Sequence, residues 1–127
     1  MMSEIKKLID EIGIISFENN MKVAGFAVLS DSREIIYQTE NWDVSEYRDL
    51  FFAVIKGANS IEINNTEFTI TKTSDDGFIG TSSQGMGYII IIPFKGGVLA
   101  TYALPSANPD NILAFLKPHV IELQKKF

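Results

Sequence analysis

Two apolar runs rich in β-branched residues, Tyr88 to Ile92 and Val98 to Leu104, flank Lys95-Gly96-Gly97, the strongest turn signal in the chain. Strands this apolar have to be covered on both faces, because at a sheet edge they would invite pairing with other molecules. The pattern predicts a central antiparallel hairpin on which every other element packs. With 127 residues, 46% of them hydrophobic and 21% charged, the chain has the size and apolar content of one well-filled domain, read as residues 1–127.

Before the hairpin, Ile5, Leu8, Ile9 and Ile12 recur at helical spacing behind Ser3, a residue suited to capping. They predict a short amphipathic helix that stops near Gly13. Val23 to Leu29 and Ile35-Ile36-Tyr37, separated by Asp31-Ser32, predict two antiparallel strands. A second helix follows, with Ser45 as its cap, Tyr47, Leu50, Phe51, Val54 and Ile55 as its inward stripe, and Gly57 as its stop. Ile61 and Ile63, the Asn64-Asn65 turn, and Phe68 and Ile70 alternating with threonines read as a hairpin. Asp75-Asp76-Gly77 leads into a short strand at Phe78-Ile79, and Ser82-Ser83-Gln84-Gly85 turns the chain again. The last helix opens at Pro109 behind Asn108 and turns Ile112, Phe115, Leu116, Val120 and Leu123 inward. It is expected to kink or divide at Lys117, ahead of Pro118. The fold class is α+β, a central antiparallel sheet of about 6–7 strands flanked by N-terminal, middle and C-terminal helices.

Eleven Lys and Arg against 16 Asp and Glu leave a formal charge of −5, which withholds the phosphate-neutralising term on which nucleic-acid binding depends. The chain has no cysteine and one histidine, which removes disulfides, a thiol nucleophile, Cys-containing zinc sites and an all-His metal cage. No cofactor or metal is expected. No apolar run nears the roughly 20 residues of a membrane span, and Met1 to Glu11 is too charged for a signal peptide. The expectation is a cytoplasmic protein.

Gly80, Gly85 and Gly87 precede a strand rather than a helix, so they read as a hairpin turn and not as a phosphate cradle. His119 has only generic Ser and Asp residues of distant loops as partners, and Asp75-Asp76 and Asp43-Glu46 lack the alternating oxygens of a calcium loop. Trp42 reads as a lid on one end of the core. Nothing here forms a catalytic apparatus, and the residues by themselves lead to a small binding or interaction module, not an enzyme.

Several segments, taken in order, carry a family likeness. They are Ala24 to Leu29, Ile35-Ile36-Tyr37-Gln38, Asn41-Trp42-Asp43-Val44-Ser45-Glu46, Thr66-Glu67-Phe68-Thr69-Ile70, Asp76-Gly77-Phe78-Ile79-Gly80, Gly85 to Ile91, Val98 to Ala103 and Asn108-Pro109-Asp110-Asn111. Together they resemble the profilin family of actin-monomer-binding proteins, in a divergent archaeal form. The resemblance implies a monomeric, cytoskeleton-associated regulator of actin filament assembly. Its actin face would comprise Ile70, Lys72, Thr81, Met86, Tyr88, Asn108 and Asn111. Gly80, Thr81 and Ser82 stand where eukaryotic members typically carry basic residues. Tyr37, His119 and Phe127 approximate the family's site for proline-rich ligands, but Ser3 to Ile15 offers no aromatic ring. Proline-rich peptides are therefore expected to bind weakly or not at all, and phosphoinositide stays open as a ligand. The alternative is a Roadblock or longin-type module, a dimeric platform for small GTPases with the same helix, sheet and helix layering. Its usual three strands after the middle helix are fewer than the five counted here.

Overall fold

The computed structural model describes residues 2–127. Its elements are α1 (Met2–Glu18), β1 (Val23–Ser30), β2 (Ile35–Gln38), α2 (Arg48–Ile55), β3 (Ser60–Ile63), β4 (Thr66–Ser74), β5 (Gly77–Ser82), β6 (Tyr88–Phe94), β7 (Gly97–Ala103) and α3 (Pro109–Gln124). The strands form one antiparallel sheet in the order β2-β1-β7-β6-β5-β4-β3, with the expected hairpin of β6 and β7 in its interior.

Alternation along the strands builds two cores. Ile90 and Ile92 join Val28 and Leu99 under α1 and α3, whose Ile5, Ile9, Ile12, Ile112, Leu116 and Leu123 are buried there. Ile89 and Ile91 face the other way and meet Leu29, Val98 and the Phe51, Phe52 and Val54 side chains of α2. This explains why the isoleucine run shows no polar alternation: successive side chains point to opposite faces, and both faces are covered. Trp42 closes one end of the second core, edge-on to Phe51 and stacked on Tyr102 at 6.2 Å in each case. Gly25 lies beneath it, where a Cβ would come within 2.8 Å of the Trp42 Cβ. Asn64 and Asn65 both take the left-handed conformation (φ 53° and 66°) that their turn demands.

Three helix boundaries differ from expectation. First, α1 runs through Gly13 to Glu18, because Ser16 continues the buried stripe and donates its hydroxyl to the Gly13 carbonyl. The residue that stops it is Asn20 (φ 56°), followed by the Met21 amide returning to the Ser16 carbonyl at 3.0 Å. Ser3, read as the cap, already lies inside α1, which begins at Met2, so it does not cap the helix.

Second, α2 begins only at Arg48, and Ser45 is not its cap: the Ser45 amide and hydroxyl both donate to the Asp43 carboxylate. Leu50 is consequently exposed, and Phe52 takes an inward place beneath the Arg33 guanidinium. Gly57 does end the helix, at φ 111°. Third, α3 passes Pro118 without dividing. Buried Ile112 and Leu116 before the proline, and Val120 and Leu123 after it, hold one face of the helix to the sheet. Ala114, whose carbonyl loses its usual donor, lies on the exposed side where water can replace it.

Candidate functional site

The later strands and the start of α3 meet on the α3 side of the sheet. Between Ile70 and Lys72 the register of β4 against β5 shifts by one residue. Such a bulge lets two successive residues stand opposite one on the partner strand. Thr71 therefore reaches Thr81 on β5, hydroxyl to hydroxyl at 2.8 Å, while Lys72 stretches over to α3 and donates to Asp110 Oδ1 at 2.6 Å. Thr81 is directly opposite Tyr88 at the start of β6, and Tyr88 packs its partly buried ring against the α1–α3 core.

The first turn of α3 is held by Asn108, whose side chain accepts from the Asn111 amide at 3.2 Å. A second tie, Lys117 to Asp76 at 2.9 Å, joins α3 to the β4–β5 turn. Asn108 and Asn111 also line a cleft of about 420 Å³ shared with Asn19, Asn20 and Ser106. Met86 is 48% exposed in the β5–β6 turn, where its carbonyl accepts from the Tyr102 hydroxyl at 2.7 Å. That turn is a hairpin, as expected. Ser82 Oγ accepts the Gln84 and Met86 amides, and Gly87 (φ 117°) passes so close to the Ala103 carbonyl that no Cβ would fit.

Lys72, Thr81 and Tyr88 thus lie on the α3 side of the sheet, and Asn108 and Asn111 stand in the turn of α3 that Lys72 reaches; Met86 sits apart in the β5–β6 turn, its carbonyl bound to Tyr102, whose ring packs against the α2 core. Ile70 does not join them, because it precedes the bulge and packs on the opposite face against the α2 core. Asp110, which sequence reasoning passed over, proves to be the partner of Lys72. The only signal for it was an acidic residue in a helix's first turn.

The three residues read as a proline-ligand site are not brought together. Tyr37 donates to Asp10 of α1 at 3.3 Å, and burial followed by the Asp10 charge pushes its phenol up. Phe127 packs edge-on against Phe94 at 5.0 Å and covers Gly96. His119 lies against Phe115 and faces a groove of about 510 Å³ between α1 and α3, lined by Lys7, Leu8, Glu11, Glu122 and Lys126 among others. Among the described residues no aromatic ring other than the His119 imidazole lines that groove. The longer α1 does carry an aromatic, which corrects the expectation of none, but Phe17 stands on the other flank of the helix.

No protein-family model matches the chain. Over 124 residues it is 32% identical to Loki profilin-1 of Lokiarchaeum sp. (strain GC14_75), covering 89% of this chain and 90% of that protein. The chain belongs to the profilin family. This profilin superposes on LokiProfilin1 as solved in a complex with rabbit actin with a TM-score of 0.87 and 26% identity, over 100% of this chain and 98% of that one. Profilin IB of Acanthamoeba castellanii, 11% identical, shares the fold at a TM-score of 0.65 over 85% of this profilin and 90% of its own chain. Family membership sets the Roadblock or longin alternative aside. Among the described residues, no helix of this profilin is long and apolar enough to cross a membrane.

Proposed function

We propose that this profilin binds monomeric actin through the face formed by β4, β5, β6 and the start of α3, and limits filament assembly by occluding one end of the actin subunit. The observation that carries this reading is its likeness, over its full length, to a profilin solved together with rabbit actin. Tyr88 offers an aromatic surface with a hydroxyl, Lys72 a cation for an acidic patch, and Asn111 a donor and acceptor at an exposed helix start. Thr81 and Asn108 complete the face, with Met86 at its margin in the β5–β6 turn, and it would contribute to an interface of roughly 1,200–2,000 Å² in total. The protein acts as a monomer and is cytoskeleton-associated. Proline-rich peptides bind weakly or not at all, since the groove between the terminal helices is lined by charged side chains where an extended proline helix needs rings. Phosphoinositide competes with actin if it binds the same face.

The test is a pyrene-actin polymerisation assay with wild type and a Lys72→Glu/Tyr88→Ala double variant whose folding has been checked by circular dichroism. Wild type is expected to slow assembly at tens of micromolar, and the variant to lose most of that effect. Absence of any effect on several actins, including one from the protein's own host, overturns the reading.

A further inference from the structure

The sheet order ends at β3, so one edge of this strand has no neighbouring strand. Ile70 donates its amide to the Asn59 carbonyl at 2.8 Å, and the register runs from Ser60 opposite Thr69 to Ile63 opposite Thr66. Bonded and non-bonded pairs alternate along an antiparallel ladder, so Ile61 commits its backbone groups to Phe68 while Ser60 and Glu62 aim theirs outward. Beside that open edge, a groove of about 610 Å³ lies between β3 and the start of α2. Tyr47 and Leu50 supply its apolar surface, and the Tyr47 hydroxyl donates to Asn64 Oδ1 at 3.3 Å, which ties the entry of α2 to the β3–β4 turn.

The charges at this edge select its occupant. Glu46, Asp49 and Glu62 line the groove itself, and no lysine or arginine does. Asp49 lies 3.5 Å from the Arg33 guanidinium, whereas Glu46 and Glu62 form no ion pair among the described residues. Glu67 stands directly opposite Glu62 as a non-hydrogen-bonded pair, the closer kind, and both are exposed. Two carboxylates so placed repel each other, and a cation on a strand added beside Glu62 relieves them. A charge on an edge strand deters pairing with another copy, which would bring the same carboxylates against one another, but it admits an extended segment that carries cations.

We propose that β3 takes up a short extended segment of a partner protein as a further strand, with lysines or arginines turned toward Glu62 and Glu67 and the alternate, apolar side chains turned toward Tyr47 and Leu50. The alternation follows from the strand itself: Ile61 and Ile63 are buried in the α2 core, so Ser60 and Glu62 point to the other face. None of these residues belongs to the proposed actin face, so either reading can fail without the other.

The experiment titrates the isotope-labelled protein with a short peptide alternating valine and lysine, following amide shifts and amide hydrogen exchange. The expected result is submillimolar binding that shifts Tyr47, Leu50 and Ser60 to Ile63 and slows exchange of the Ser60 and Glu62 amides several-fold. It should weaken with added salt, fall about tenfold in a Glu62→Lys variant, and disappear when the peptide is N-methylated at the amides that would pair. Glu62 is exposed and a lysine there faces Glu67, so that variant should stay folded; Leu50→Ser, at another exposed position, should weaken binding several-fold and serves as the second test. Four results would overturn the proposal. They are no protection of the Ser60 and Glu62 amides at about 1 mM peptide, equal binding of the valine–glutamate counterpart or of the N-methylated peptide, binding indifferent to Glu62→Lys, and a dimer in light scattering that protects the same two amides without peptide.

Discussion

Lys72 and Asp110, 38 positions apart in the chain, meet at 2.6 Å and fasten the bulged edge of β4 to the first turn of α3. The pair is open to water, with side chains 47% and 62% exposed, so its own contribution to stability is about 1 kcal/mol or less. It has a different consequence for recognition, because a lysine that serves as an actin anchor must first leave Asp110. Asp110→Asn is therefore expected to strengthen actin-monomer binding several-fold while moving the denaturation midpoint little. Calorimetric titration and urea unfolding measure the two effects separately, and unchanged affinity would remove Lys72 from the list of anchors.

Thr101, opposite Ile90 in the centre of the sheet, is fully buried, and its hydroxyl has no hydrogen-bond partner among the described residues. An unpaired buried hydroxyl costs about 1–3 kcal/mol, and valine has nearly the same shape. Thr101→Val should raise stability in denaturant titration by about 1 kcal/mol. A drop instead would mean that the hydroxyl is satisfied by buried water.

Two glycines should respond oppositely to alanine. Gly13 lies inside α1 with room for a methyl group, so Gly13→Ala should stabilise by about 0.5–1 kcal/mol through helix propensity. Gly25 lies against Trp42, where the added Cβ must displace the indole, and Gly25→Ala should cost about 1–3 kcal/mol. Thermal melts of the two variants decide the matter, and equal signs would contradict the packing described.

Asp43 accepts from the Ser45 hydroxyl, the Ser45 amide and the Gln38 side chain, and these bonds, the hydroxyl's first, hold its carboxyl below the ordinary value of 3.8. A carboxylate depressed in the folded state adds stability that is present above its unfolded pKa and lost as pH falls through the folded one. Wild type should therefore lose stability below about pH 4. Asp43→Asn should lose less over the same window, and Asp10, which the Lys6 hydrogen bond also holds low, contributes in the same direction. Melting temperatures collected from neutral to acid pH test this, and parallel curves would refute it.

Much of the fold was legible in the amino-acid order. The seven strands, their antiparallel pairing, the β6–β7 centre and the Asn64-Asn65 turn follow from period-two patterning and turn chemistry, which act between near neighbours. The Asn108 cap and the Gly57 stop are equally local. What needed the tertiary structure was every choice in which burial outweighs propensity. Gly13 and Pro118 fail to end their helices because the residues on both sides of them are packed against the sheet, and that packing is worth more than a glycine or a lost hydrogen bond costs. The composition of the candidate face is decided the same way. Ile70 and Lys72 look equivalent in an alternating strand, yet one extra residue between them sends the first to the α2 core and the second to Asp110. A bulge of this kind leaves no mark in residue type, since its register is set by how β4, β5 and α3 settle against one another.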